Sequence, residues 1–328
     1  MFLKFLHKKI AFFFLSVLII QSCFAQMVDA PDSLTKKQKT IRKSILLGTT
    51  GAYTTVSLIG LNQIWYKQYA SSKFHFFNDN NEWCQMDKLG HTFTTYNTAR
   101  EIYRAMLWAG YNRKQSIFIG EAYGTAYMTA IEIMDGFSSG WGFSWGDEVA
   151  NVSGSTLFTL QQYFWNEQRI HFKFSFHQDY YSGIRPSELG TSFGSQIIKN
   201  YNGQTYWLSI SPASFCKKET KFPKWIAFAF GYGAANMVSG QNNVIVYANG
   251  QTTTNPVNGQ SIIYSASGVP SYFYQYRQYY FSLDIDFTKI KTKSKFLQSV
   301  FSVFNGFKLP FPAVEFSKHG TTFKPFYF

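Results

Sequence analysis

The sequence predicts an α+β protein: an N-terminal bundle of about four helices, followed by an aromatic-rich mixed α+β half with a few antiparallel strands. Three observations predict it. Ser44 to Tyr66 is a 23-residue stretch without a charge, and three further helix-length segments follow, at about 86–109, 116–134 and 146–166. Past Arg169 the helical periodicity fades, and Tyr, Phe, Ser and Gly dominate. Aromatic residues are 20% of the 328 residues (35 Phe, 22 Tyr, 8 Trp), while only 15% are charged. Soluble domains carry about 25% charge. The composition therefore excludes a disordered basic protein, despite the net charge of +13, and fits an envelope or membrane-facing setting.

Residues 1–25 read as a secretory signal. Lys4, Lys8 and Lys9 precede an apolar run from Ile10 to Ile20, and Cys23-Phe24-Ala25 supplies small residues for cleavage before Gln26. A rival reading exists, since Ile20-Gln21-Ser22-Cys23 loosely resembles a lipobox in which Cys23 would be lipidated. Gln21 is a poor match, so cleavage after Ala25 is the expectation. Either way the chain is exported, to the periplasm or outer membrane of a Gram-negative bacterium. Cys84 and Cys216 then remain, as a disulfide or as two separate buried thiols. No CxxC or Cys/His spacing suggests a structural zinc site.

Two regions are expected in the mature chain: a helical bundle over 26–169 and an aromatic-rich α+β region over 170–328. The 44–66 segment contains four Thr, two Ser and three Gly, which suit close helix packing in a compact bundle or in a membrane. Gly110-Tyr111-Asn112 and the Gly- and Ser-rich 136–142 segment separate the next three helices, and Ser144 or Asp147 caps the last of them. Beyond lie an amphipathic helix at 187–200, strands at 225–233 and 278–287, and a polar surface loop at 239–271. Lys318-His319-Gly320 forms a turn between two short runs in the 313–328 tail. The chain ends in Phe328, as many outer-membrane barrels do, but it has too few regular alternating segments for a full barrel.

Chemistry concentrates in three polar pairs. Asp87-Lys88-x-x-His91 opens one helix, Glu132-x-x-Asp135 closes the next, and Asp147-x-x-x-Asn151-x-x-Gly154 runs along a third. Each pair shares a helix face. Buried charges without partners are costly, so the economical arrangement is convergence, with Lys88 and His91 meeting the carboxylates. Gly154 offers a place where another helix approaches closely.

Taken together, these motifs resemble the YfiM-like family of predicted periplasmic lipoproteins, a family of unknown function. They are also distantly similar to VanZ-like membrane proteins, which carry DK-x-x-H and D-x-x-x-N-x-x-G elements on transmembrane helices. The likeness spans about 87–154, and the downstream 201–208 and 231–234 segments are similar to longer members of the first family. It implies a cell-envelope location and no established activity.

Two readings of the cluster follow. In the preferred one the protein is a structural or binding protein of the periplasm or outer membrane, whose buried polar network fixes helix register. In the other, His91, Glu132, Asp135 and Asp147 hold a divalent metal, Asn151 donates to substrate and Lys88 offsets phosphate charge. That would be a metal-dependent hydrolase of a phosphorylated or lipid-linked envelope substrate. No G-x-S-x-G or HExxH motif is present. Expected partners are the envelope membrane or its proteins, not nucleic acid. Lys289, Lys291, Lys293 and Lys295 read as a solvated strand edge, and Gly231-x-Gly233 lacks the third glycine of a dinucleotide fingerprint.

Overall fold

The computed structural model describes residues 34–66, 69–216, 221–241, 244–246, 252–254, 261–264 and 270–328. The export signal read over 1–25, with Cys23, lies outside the described residues. The long helices precede the strands, as expected of the α+β class.

The first helix, α1 (Lys36–Leu61), starts at a capping box in which Thr35 and Gln38 bond each other's backbone N–H. A five-residue π turn, Asn62–Tyr66, continues it. Of the described side chains in α1, only Leu46 and Ser57 are buried, and Leu47 is 77% exposed. The helix is therefore peripheral rather than the buried bundle helix of one sequence reading. By length and composition alone it is long enough to cross a membrane.

Helices α2 (Met86–Trp108), α3 (Arg113–Gly136) and α4 (Trp145–Phe164) pack on one another. Glycine makes the contacts close. A Cβ on Gly154 would stand 2.3 Å from the Thr92 carbonyl oxygen, and one on Gly120 would stand 2.6 Å from that of Ala99. The expected 187–200 helix is broken into a single turn, Pro186–Leu189, and α5 (Phe193–Lys199), because Gly190 adopts φ 96° between them.

Six strands form the main sheet: β1 (Ile170–Phe176), β2 (Gln204–Ile210), β3 (Ile226–Ala235), β8 (Tyr276–Ile285), β9 (Phe311–Ser317) and β10 (Gly320–Tyr327). They lie in that order, with every neighbouring pair antiparallel. The 239–271 segment is not simply a loop. It contributes β4 (Val244–Val246), β5 (Thr252–Thr254) and β6 (Ser261–Tyr264) to a second, four-stranded sheet completed by β7 (Pro270–Phe273). Strands of three or four residues leave too little alternation to read. The lysine-rich segment is not a strand edge either. It passes from a 3₁₀ turn (Phe287–Lys289) into α6 (Lys295–Phe304), and Lys289 meets Glu167 at 2.5 Å.

The main sheet rolls up. Tyr327 on β10 places its ring 6.0 Å from Trp207 on β2, and its hydroxyl 3.0 Å from Thr205, although three strands separate the two. The segment before β9 returns to the free edge of β1, where Phe174 N–H donates to Gly306 and Lys308 N–H donates to Phe174. At the β1–β2 end, α2 covers the sheet by packing Phe93 on Phe172, Phe174 and Tyr206. Cys84 is buried and Cys216 exposed, both as free thiols, so no bridge joins them.

Candidate functional site

An unusual turn launches α2. Trp83, Cys84 and Gln85 have φ of 47°, 51° and 63°, a left-handed conformation that L residues adopt only when held there. The restraints come from the second half of the chain. Trp83 N–H donates to Gly240 O at 2.7 Å, the Tyr232 hydroxyl donates to Cys84 O at 2.5 Å, and Arg277 donates to the Gln85 side chain at 2.7 Å. One turn later, Asp87, Lys88 and His91 face α3 and α4.

The opposing residues arrive through local signals. Ser144 caps α4 by accepting from Asp147 N–H at 3.3 Å, which puts Asp147 in the first turn and Asn151 one turn on. The Gly154 contact brings α4 against α2. Glu132 sits near the end of α3 and accepts from Ser144 N–H at 3.1 Å.

Lys88 lies 2.9 Å from Asp147 and 2.5 Å from Asp79. His91 Nδ1 is 3.0 Å from the Asn151 side-chain oxygen, which also accepts from Thr95. That leaves His91 Nε2 facing Glu132 at 3.5 Å and Asp87 at 3.9 Å. Tyr201 donates to Asp87 at 2.7 Å, and Tyr66, whose hydroxyl donates to Ile131 O, lies beside Asp135. All seven sequence candidates, Asp87, Lys88, His91, Glu132, Asp135, Asp147 and Asn151, thus fall in one neighbourhood. The compact ligand set is Asp87, His91 and Asp147, each offering an atom within 4.8 Å of the others. Glu132, though it faces His91 Nε2, and Asp135 lie outside that set.

Sequence reasoning missed Asp79, Tyr66 and Tyr201. Asp79 lies in the polar Asn78-Asp79-Asn80-Asn81 run of a loop, where nothing periodic marks it. The tyrosines are lost among 22.

Acid outweighs base in this cluster. Asp79, Asp87, Glu132, Asp135 and Asp147 surround Lys88 and His91. Burial pushes Glu132 up to about 9, with His91 only partly offsetting it. Burial and Asp87 push Asp147 up to about 7, against His91 and Lys88. Burial also raises Asp135. Burial opposes charge on Lys88 and His91, but the carboxylates prevail and hold both above their ordinary values. Asp79 is held low because its bonds to Lys88 and Ser144 outweigh burial.

The cluster opens into a cavity of about 770 Å³. Its other walls are largely apolar, with Met128 and Ile131 from α3, Phe93 from α2, Phe174 from β1 and Phe307 from the segment before β9. Both halves of the chain build it.

Residues 75–163 match the family model described as predicted periplasmic lipoprotein (DUF2279). The matched segment runs from four residues before Asp79 to the last turn of α4, so it holds every cluster residue except Tyr66 and Tyr201. It supports an exported, periplasmic location. No curated protein and no solved structure matches the chain.

Proposed function

We propose that the chain is a cell-envelope protein, at the periplasmic side of the outer membrane, that binds an amphiphilic ligand. The polar head sits against Asp87, His91 and Asp147, and the apolar part lies along the cavity. The observation that carries this reading is the opening of a charged cluster into a cavity of about 770 Å³ with apolar walls. Ligand sites of about 300–1,000 Å³, lined by apolar groups with a few convergent polar ones, are the common design. A purely structural network has no use for that space. The likeness of the motifs to those of VanZ-like membrane proteins fits a lipid-linked ligand.

The test is organic extraction and mass spectrometry of protein purified in mild detergent. An amphiphile near one per chain is expected, and Thr94→Trp on the cavity wall should displace it. Protein that carries none, and takes up none from an envelope lipid extract, overturns the reading.

The metal-dependent hydrolase is kept as a second reading because of one observation, the approach of Asp87, His91 and Asp147 within 4.8 Å. One nitrogen and two carboxylates suit a hard or borderline divalent cation. Asn151, bonding Nδ1, would fix the His91 tautomer that presents Nε2. Stoichiometric metal in protein purified without chelator, lost in His91→Gln, supports hydrolysis; its absence leaves binding alone.

A further inference from the structure

We propose that the outward face of the rolled six-stranded sheet rests in the hydrocarbon of a lipid bilayer. This goes beyond the ligand reading and does not depend on the cavity. In a water-soluble antiparallel sheet, apolar side chains point inward and polar ones outward. Here the alternation is reversed. The paired row Ser209, Ala229, Ser282 and Ala313 faces inward and is buried. The next row, Leu208, Phe230, Phe281, Val314 and Phe323, faces outward. Phe230 is 53% exposed and Phe323 62%. One step further, Tyr279 and Phe316 continue the same surface, while Tyr232 beside them is covered by the turn that starts α2.

Charge follows the same division. Lys173, Asp284 and Glu315 are all buried on the inward face, while the outward rows named above carry no charge. Arg277 stands beyond them, at the end of β8 near the α2 turn. Polar-in and apolar-out is the pattern of a sheet solvated by lipid. The outward run on β8 from Tyr279 through Phe281 and Leu283 to Ile285 covers about 20 Å at ~3.3 Å per residue, against the ~25 Å apolar band of an outer-membrane strand.

The curl decides between lipid and a second copy of the chain. The sheet bends toward Trp207 and Tyr327, so the aromatic face is convex. Two convex faces touch only along a line, whereas lipid tails conform to either curvature. The same aromatic face is covered where protein is available, at β1–β2 beneath Phe93 of α2 and at Tyr232 beneath the turn that starts α2, and is bare at Phe230, Tyr279, Phe281 and Phe316. Nearby apolar surface is consistent with this: α1 leaves Leu47, Val56 and Ile59 exposed.

The experiment uses the full mature chain, reconstituted by detergent removal into phosphatidylethanolamine–phosphatidylglycerol vesicles. A fluorophore is placed at Phe281→Cys or, as a control, at Lys291→Cys, in a Cys84→Ala/Cys216→Ala background. Brominated acyl chains should quench the Phe281 label severalfold and leave the Lys291 label unchanged, with aqueous iodide doing the reverse. In flotation, Phe230→Glu/Phe281→Glu/Phe316→Glu should lower the vesicle-bound fraction at least tenfold relative to Leu47→Gln/Ile59→Gln. Iodide reaching the Phe281 label with vesicles present overturns the proposal. So does shielding of that label from both quenchers in a defined dimer, which would assign the face to a second copy.

Discussion

On the inward face of the sheet, Lys173 stands 2.7 Å from Asp284, and His171 stands 3.1 Å from Asp286. Each of these two bases contacts one acid, with Lys308 a further buried base near Asp284, and Asp286 is held low because His171 and Thr288 outweigh its burial. In the helical half, Lys88 and His91 are shared among five carboxyl groups, and three of those are pushed upward. Both groups are largely withdrawn from water, so burial alone does not distinguish them. Stoichiometry does. Matched pairs close on themselves and serve the fold, while a surplus of buried acid leaves room for a proton or a cation, beside a cavity that can deliver one.

Breaking the matched pair should give the largest effect. Lys173→Met removes the cation that contacts buried Asp284 and should cost about 3–5 kcal/mol, read from the chemical-denaturation midpoint. Adding Asp284→Leu should recover most of that loss, since replacing both charges is often neutral. If the double variant is as unstable as the single one, the pair is not the unit argued here.

Asp147→Asn should cost far less, within about 1 kcal/mol of the parent protein. Lys88 keeps Asp79 at 2.5 Å, and one unit of acid surplus is removed. A neutral or stabilised variant is what a site kept for function gives. A loss as large as that of Lys173→Met would make the two clusters equivalent and sink the distinction.

A third test reads a slope rather than a single midpoint. Glu132 moves from 4.5 to about 9 on folding. A raised folded value means the native state holds the proton more tightly. The resulting stability is complete below about pH 4.5 and is lost as pH rises toward 9. Titrating the denaturation midpoint over that window, Glu132→Gln should show a shallower decline with pH than the parent. Identical profiles would place the Glu132 proton elsewhere.

The helical half was legible because its signals are local. Periods of three and four residues put Asp87 with His91, Glu132 with Asp135, and Asp147 with Asn151, and Gly154 marks the contact that unites them. Asp79 was not legible, since a loop residue joins a site through the path of the chain rather than through any period. The sheet was half legible. Strands at 225–233 and 278–287 were read, close to β3 and β8. The two short runs about the turn at 318–320 correspond to β9 and β10, while β1 and β2 mix Phe, Tyr and Trp with Ser, Thr and Lys, and reading them as a sheet requires accepting polar residues as the inside. The roll that brings β10 to β2 depends on pairings more than 100 residues apart, such as Thr205 with Tyr327.

The left-handed turn at Trp83–Gln85 has a consequence for biogenesis. Three consecutive L residues at positive φ each cost on the order of 1–3 kcal/mol, and what holds them is Tyr232, Gly240 and Arg277. An exported chain emerges with its N-terminal end first. The helices bearing Asp87, Glu132 and Asp147 therefore reach the far side of the membrane while the strands that secure the turn are still in transit. Until Arg277 arrives, the first turn of α2 lacks its full set of restraints, while the Gly154 contact already sets α4 against α2. The cavity, whose walls include Phe174 and Phe307, is therefore completed only after nearly the whole chain has crossed.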